Sequence, residues 1–425
     1  MKRMIAAMAV AGLVAGAAGA ALPPGLAEES RAAIERGAEW LAGLQQEDGH
    51  WDMAETPALT ALSVWALQKA DAEKYGEAIR SGVAFILRNV QPDGSIWHRP
   101  SPGERGGGLA NYNTAVCLSA LHQLGWPELT KTIQDARTYL AGTQYGEAAG
   151  LFKGGIGYSP DEPRAHADLS NSHMVYEAMR LTQDVEDLRA EGEARADLDW
   201  DAALEFLAQV QNLPGVNTNA WVSGAEEDRG GFIYRPAAVG GNAAGGRGAG
   251  GAGGVAGAGA GAPERRELLD RGMAVGGEGR GGFGYVPRPA AGNAGEAVVV
   301  HPYGSMTYAG ILSLIYAKVD AGDPRLEAAR EWAKRHWTLE ENPGMGSEGL
   351  YYFFNTLTKC LAAMGDETVV AEDGTEVPWR EAVAAKLVSL QAEDGSWCND
   401  NNRWWEADPC LVTAYTLIAL STAAE

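Results

Sequence analysis

The densest group of residues able to do chemistry is the run Asp161-Glu162-Pro163-Arg164-Ala165-His166-Ala167-Asp168-Leu169-Ser170-Asn171-Ser172-His173. Two imidazoles with carboxylates and hydroxyls beside them are what acid–base or nucleophilic catalysis draws on. A second group lies between Cys398 and Cys410, which flank a loop rich in Trp and Asn. The four cysteines allow three full pairings, and Cys398–Cys410 is the candidate disulfide, since a loop-closing crosslink suits an exported chain. A third, Asp197-Leu198-Asp199-Trp200-Asp201, concentrates carboxylates. Each has a plainer reading. Asp168 or Ser170 caps a helix and leaves His173 on its wall, and the acidic run sits where carboxylates favour a helix N-terminus. A catalytic zinc needs three or four clustered ligands, and the seven histidines show no His-Glu-x-x-His or paired spacing. Gly-x-Ser-x-Gly and Gly-x-x-x-x-Gly-Lys-Ser/Thr are absent, and the glycine tracts lack the strand that a nucleotide-binding loop follows. The sequence therefore calls for no metal and no cofactor.

The elements that must position these residues are helical and repeated. The segment Trp40-Leu41-Ala42-Gly43-Leu44-Gln45-Gln46-Glu47-Asp48-Gly49-His50-Trp51 reads as a helix end followed by Gln-x3-Gly-x-Trp, and it returns as Gln391-Ala392-Glu393-Asp394-Gly395-Ser396-Trp397. Weaker copies lie between, about every 50 residues, which is the mark of a repeat architecture. Six helix–loop–helix units follow, with first helices starting near Ala32, Ala78, Ile133, Asp201, Leu326 and Trp379. The second helices start near Pro57, Asn111, Ser170, Tyr303, Gly349 and Pro409. Second helices such as Thr60-Ala61-Leu62-Ser63-Val64-Trp65-Ala66-Leu67 are apolar nearly all round, so they form an inner ring; the charged first helices form an outer one. The spacing predicts an all-α fold, an (α/α)6 toroid of six helix-pair repeats over residues 30–422, with an open solenoid as the alternative. A Gly/Ala-rich insertion, residues 237–262, is expected to form a loop within the fourth unit, because it cannot build a core.

Arg36-Gly37, Trp40-Leu41, Gln45, Gly49 and Trp51, with Gln391, Gly395 and Trp397, resemble the QW repeat of squalene–hopene and oxidosqualene cyclases. The scaffold is similar to that of protein prenyltransferase β subunits. The resemblance implies an α/α toroid and says little about reaction. In the cyclases an Asp-x-Asp-Asp acid protonates an alkene; that string is absent, and the run Asp197–Asp201 is its nearest counterpart. The prenyltransferases hold zinc with Asp, Cys and His; Asp408-Pro409-Cys410 resembles their Asp-x-Cys only loosely, off register and without a matching His. The Cys-Gly-Glu-Gln thioester of complement-type toroids is also missing. Gln45, Gly49, Trp51, Gln391, Gly395 and Trp397 are therefore read as structural staples, the Gln amide satisfying helix-end backbone groups and the Trp shielding it.

The balance of Lys and Arg against Asp and Glu gives a net charge of −22 in 425 residues. That speaks against a nucleic-acid partner and against anionic lipid. Lys2 and Arg3, an apolar stretch from Met4 to about Gly16, and Ala18-Gly19-Ala20 read as a signal peptide over residues 1–20. An exported protein with no membrane span is the expectation. In a toroid all inner helices run one way, so their N-termini meet at one mouth. Glu55, Asn111, Asn113, Asp168, Asn171 and His173 are expected there. So are His301, Tyr303, Glu348, Tyr351, Trp405 and Asp408. Below them, Trp65, Tyr176, Met306, Tyr308 and Phe354 are placed to line a central apolar cavity or to fill it. The functional expectation is a binding or interaction module for an apolar small molecule or a protein. The alternatives are a divergent isoprenoid cyclase or transferase, and a carbohydrate-acting (α/α)6 enzyme.

Overall fold

A computed structural model describes residues 21–53, 56–99, 108–160, 165–236 and 300–425. The expected leader (1–20), Glu55 and the Gly/Ala tract 237–262 lie outside the described residues.

Apolar residues at intervals of three and four make the first helix of each pair one-sided. In α3 (Gly76–Arg88) the buried face is Ile79, Gly82, Val83 and Ile86, and in α9 (Pro324–Arg335) it is Leu326, Ala329 and Trp332. The others of this kind are α1 (Pro24–Ala42), α5 (Thr130–Ala141), α7 (Trp200–Val210) and α11 (Trp379–Ser389). The second helices have no polar face to turn to water. In α2 (Pro57–Asp71) every residue from Pro57 to Leu67 is buried, and α12 (Pro409–Ala424) is buried from Cys410 to Ser421. With α4 (Ala110–Gln123), α6 (Leu169–Leu181), α8 (Gly304–Tyr316) and α10 (Leu350–Met364) they can lie only between other helices.

The packing is a closed double ring. The inner helices contact one another in the order α2, α4, α6, α8, α10, α12, and α12 contacts α2. The outer helices lie against them: α1 on α12 and α2, α3 on α2, α5 on α4, α9 on α8 and α11 on α12. The fold is therefore the (α/α)6 toroid rather than an open solenoid. Acidic residues start several helices as expected: Asp168 caps α6, Asp199 caps α7, Asp323 caps α9 and Asp408 caps α12, each accepting backbone N–H bonds. Beyond the helices, the described residues hold one small sheet, Thr368–Val370 paired antiparallel with Glu376–Pro378. No helix among the described residues is long and apolar enough to cross a membrane.

The repeated Gln and Trp tie the ring together, with roles different from those expected. The Trp51 indole N–H, not the Gln, donates to the end of its own outer helix, at the Leu41 carbonyl (2.8 Å), and Trp397 does the same to Leu387 (2.8 Å). The Gln45 amide donates to the Gly49 carbonyl (3.0 Å) and to Ala78 near the start of the next outer helix (2.8 Å). Gln391 repeats this with Gly395 (2.9 Å) and Ala33 (2.8 Å), which joins the last unit to the first. Gln144 bridges Gly154 and Asp199, and Gln211 bridges Gly230 and Arg325, in the same way. The motif needs its glycine at Gly49, where φ is +96° and an added Cβ would meet the Ser81 carbonyl at 2.2 Å. The ring also closes tightly at Gly37, where a Cβ would lie 2.5 Å from the Trp397 ring.

Candidate functional site at the mouth and axis of the ring

The outer-to-inner loops and the N-termini of the inner helices share one face of the toroid, and they bring most of the expected residues to it. Some of these residues are structural. Asn113 Oδ1 accepts from the Ala58 N–H (3.0 Å) and so ties α4 to the start of α2. Asp168 is fully buried; its two oxygens take the backbone and side-chain N–H groups of Asn171, both at 2.8 Å. Asn111 donates to the Gly157 carbonyl and accepts from Tyr139. His301 is 63% exposed and paired through Nδ1 with the buried Asp228 (2.7 Å). Glu348 pairs with Arg403 (3.2 Å).

Around these sits a set of tyrosines, of which the sequence reading named Tyr303 but not Tyr112, Tyr158, Tyr234, Tyr352 or Tyr415. Tyr112 on α4 meets Tyr415 on α12 (3.5 Å between hydroxyl oxygens), Tyr158 meets Tyr234 (2.8 Å), and Tyr352 on α10 meets Ser170 (3.4 Å). Tyr303, the residue before α8, is buried within the electrostatic reach of Tyr352, Asp168, Arg403 and Glu348. Burial pushes the Tyr303, Tyr234 and Tyr415 hydroxyls well up, so all stay protonated and able to donate.

The axis below holds charge. Glu177 on α6 and Lys359 on α10 form an ion pair (3.1 Å) with side chains only 5% and 16% exposed. The Lys359 ammonium also lies 4.4 Å from the centre of the Trp65 ring, and Tyr316 donates to Glu177 (3.3 Å). Burial works to raise the Glu177 carboxyl, but the Lys359 ammonium, His173 and the Tyr316 hydrogen bond together outweigh it and hold the group below its ordinary value. His173, expected at the mouth, is one turn deeper, buried beside Tyr316 and 3.5 Å from Ser313. Burial pulls its imidazole down to about 4, which leaves it neutral near pH 7. Trp65, Tyr112, Met174, Tyr352, Asn355 and Tyr415 fill what remains, and the space left admits water-sized molecules over only about 20 Å³. That is room for a water or two. The expected large apolar cavity is thus replaced, among the described residues, by a side-chain plug around a buried ion pair. The physical reason is volume: the aromatic rings from facing helices meet across the axis.

A second pair of acids lies where α12 meets the loop before α2. Asp408 caps α12 and is hydrogen-bonded to Asp52 as well. Burial, and then this neighbouring carboxyl, push Asp408 up to about 8, so Asp408 keeps its proton at neutral pH. The Cys398–Cys410 crosslink is not formed: the Cys398 thiol turns to the Ala407 carbonyl (3.4 Å), and Cys410 is buried in the first turn of α12. Among the described residues no group of three His, Cys, Asp or Glu could hold a metal. Five non-glycine residues there have left-handed backbone, and four of them, Asp52, Leu109, Trp404 and Trp405, belong to loops at the mouth. Such conformations cost energy and gather at functional sites.

Several of these residues carried a readable signal. Lys359 in Thr358-Lys359-Cys360-Leu361 is the one charge in its inner helix, and Glu177 in Tyr176-Glu177-Ala178 lies on the buried part of another. Asp52 follows the Trp of the first full repeat. The partner of each was not readable, since the partners lie on other units.

No family model and no curated protein matches the chain. Solved structures do resemble it. The type II terpene cyclase MstE from Scytonema, in its apo form, superposes with a TM-score of 0.50 at 13% identity, over 94% of this chain and 98% of that one. A point variant of that enzyme in complex with geranylgeranyl dihydroxybenzoate gives 0.49 at 13% identity, over 94% and 99%. A protein from Actinoplanes gives 0.40 at 16% identity, over 93% and 100%. The chain shares the α/α-toroid fold of the MstE cyclase, and at these identities the likeness is one of fold alone.

Proposed function

We propose that the protein is an exported α/α-toroid binding module that takes its partner at the mouth of the ring and has no catalytic role there. The observation that carries this reading is the filled axis. About 20 Å³ is open to water-sized molecules, against about 300 Å³ for the smaller ligand pockets of proteins. That space is small for an isoprenoid chain long enough to fold and cyclise. Export rests on Lys2, Arg3, the apolar stretch after them and Ala18-Gly19-Ala20. The strained backbone at Asp52, Leu109, Trp404 and Trp405 supports the mouth as the working face.

One observation favours a second reading, a divergent isoprenoid cyclase. Asp408 is a carboxylic acid at neutral pH, and a protonated carboxyl is the kind of group that hands a proton to an alkene. Its contact with Asp52 speaks against a glycosidase, because two carboxyls in direct hydrogen bond are closer than the roughly 5 Å that even a retaining pair requires. The test is to incubate the purified protein with squalene and with geranylgeranyl diphosphate and to analyse the extracts by gas chromatography–mass spectrometry. Both substrates are expected back unchanged. A cyclised product that disappears in Asp408→Asn would overturn the binding-module reading in favour of a cyclase.

A further inference from the structure

Among the residues that line the small space left at the axis, Lys359 carries the only ammonium. Its hydrogen bond goes to Glu177 Oε2 (3.2 Å), and it lies over the Trp65 ring. Glu177 is fixed in turn, with Oε1 accepting from the Tyr316 hydroxyl (3.3 Å). Trp65 lines the same space and is only 6% exposed, and its indole N–H is buried with no hydrogen-bond partner among the described residues. A buried donor left unpaired costs stability, so it marks a place where an acceptor belongs. Tyr112 and Tyr352, in the first turns of α4 and α10, and Met174 on α6 are partly exposed and line the space as well, so it is reached from the mouth.

The guest that fits is narrowly defined. The space is that of a water or two, and Leu62, Ala115, Val116 and Met174 make part of its wall apolar. Lys359 and Glu177 cancel each other's charge, so a charged guest would be buried without a partner. The Trp65 N–H calls for an acceptor. Both Glu177 oxygens already accept, so the guest should bring no donor of its own. An uncharged carbonyl meets all of these conditions, and it is the group that a lysine amine attacks.

We propose that Lys359 is a covalent capture site for a short, uncharged aldehyde, which it holds as a protonated imine against Glu177 and the Trp65 ring. The carbonyl oxygen accepts from the Trp65 N–H. Glu177 takes a proton from the Lys359 ammonium, and the freed amine forms a C–N bond to the carbonyl carbon. The two protons that leave the nitrogen pass through Glu177 to the oxygen, which departs as water. The imine carries the same single positive charge as the ammonium, so the ion pair and the contact with the indole face survive the reaction. A two-carbon aldehyde adds two heavy atoms to Nζ, which matches the space beside it. The inference goes beyond the mouth-binding reading and does not depend on it.

The test is to treat the full chain with acetaldehyde and sodium cyanoborohydride, which reduces an imine to a stable ethylamine, and to map the ethylated lysines by mass spectrometry of the peptides. Lys131, 69% exposed, gives the rate of an open lysine. Lys359 is expected to be ethylated about tenfold faster, because the site holds the aldehyde against the amine. A lysine that only braced the ring would be among the slowest to react. Trp65→Phe keeps an aromatic face and removes the N–H; it is expected to slow ethylation of Lys359 about tenfold and to leave Lys131 unchanged. Ethylation of Lys131 with Lys359 untouched, or undiminished ethylation of Lys359 in Trp65→Phe, would overturn the proposal. Either result leaves the binding-module reading standing; that reading falls only to a cyclised product in the substrate incubation above.

Discussion

At the scale of single residues, the ring holds ionisable groups whose environments push them in opposite directions. His173 is pulled down to about 4 by burial, so protonation in the unfolded chain costs the native state stability as pH falls from about 6.5 toward 4. Asp408 is raised to about 8, mainly by burial and then by Asp52. Its sign is the reverse: the stabilisation is full below the ordinary carboxyl value and is lost as pH rises toward 8. The two slopes oppose each other at acid pH, and above about 6.5 the Asp408 slope stands without that of His173. Thermal melts between pH 6.5 and 8 are therefore expected to show a falling midpoint, and Asp408→Asn is expected to flatten the curve. An unchanged slope in that variant would show that Asp408 carries no extra proton.

At the scale of elements, each helix pair is fastened to the next by the Gln–Trp turn. Trp51 and Trp397 are both completely buried, and each satisfies a carbonyl at the end of an outer helix. Truncation removes a large apolar volume and leaves that carbonyl unpaired. Trp51→Ala and Trp397→Ala are each expected to cost about 3–5 kcal/mol, read by urea denaturation. Trp397 lies against Gly37 of the first outer helix, so its loss also loosens the closure of the ring. A variant that kept full stability but lost a ligand would make the Trp functional and the staple reading wrong.

At the scale of the whole molecule, closure matters more than any one unit. The last inner helix packs on the first, and Gln391 reaches Ala33 across the seam. None of the twelve helices that form the ring draws on residues 237–262. Deleting that tract is expected to leave the helical circular dichroism and the melting midpoint within a few degrees of the parent, since each doubling of a flexible loop changes its closure cost by only about 0.6 kcal/mol. Loss of soluble expression would show that the tract is part of the core.

The six-fold helical pattern, the division into inner and outer helices and the positions of Gln45, Trp51, Gln391 and Trp397 were all readable from the chain alone. Helical period and turn chemistry are local, and an apolar helix has to be an inner one whatever surrounds it. What the tertiary structure decided was everything that depends on distant units meeting. Lys359 found Glu177 from 182 residues away. Asp52 and Asp408 met where the two ends of the repeat array close. Trp65, Tyr112, Tyr352 and Tyr415 turned the axis from a cavity into a plug. Each residue's type was visible in advance, but the volume left at the centre is a small difference between six helices' worth of side chains, and only their packed positions determine it.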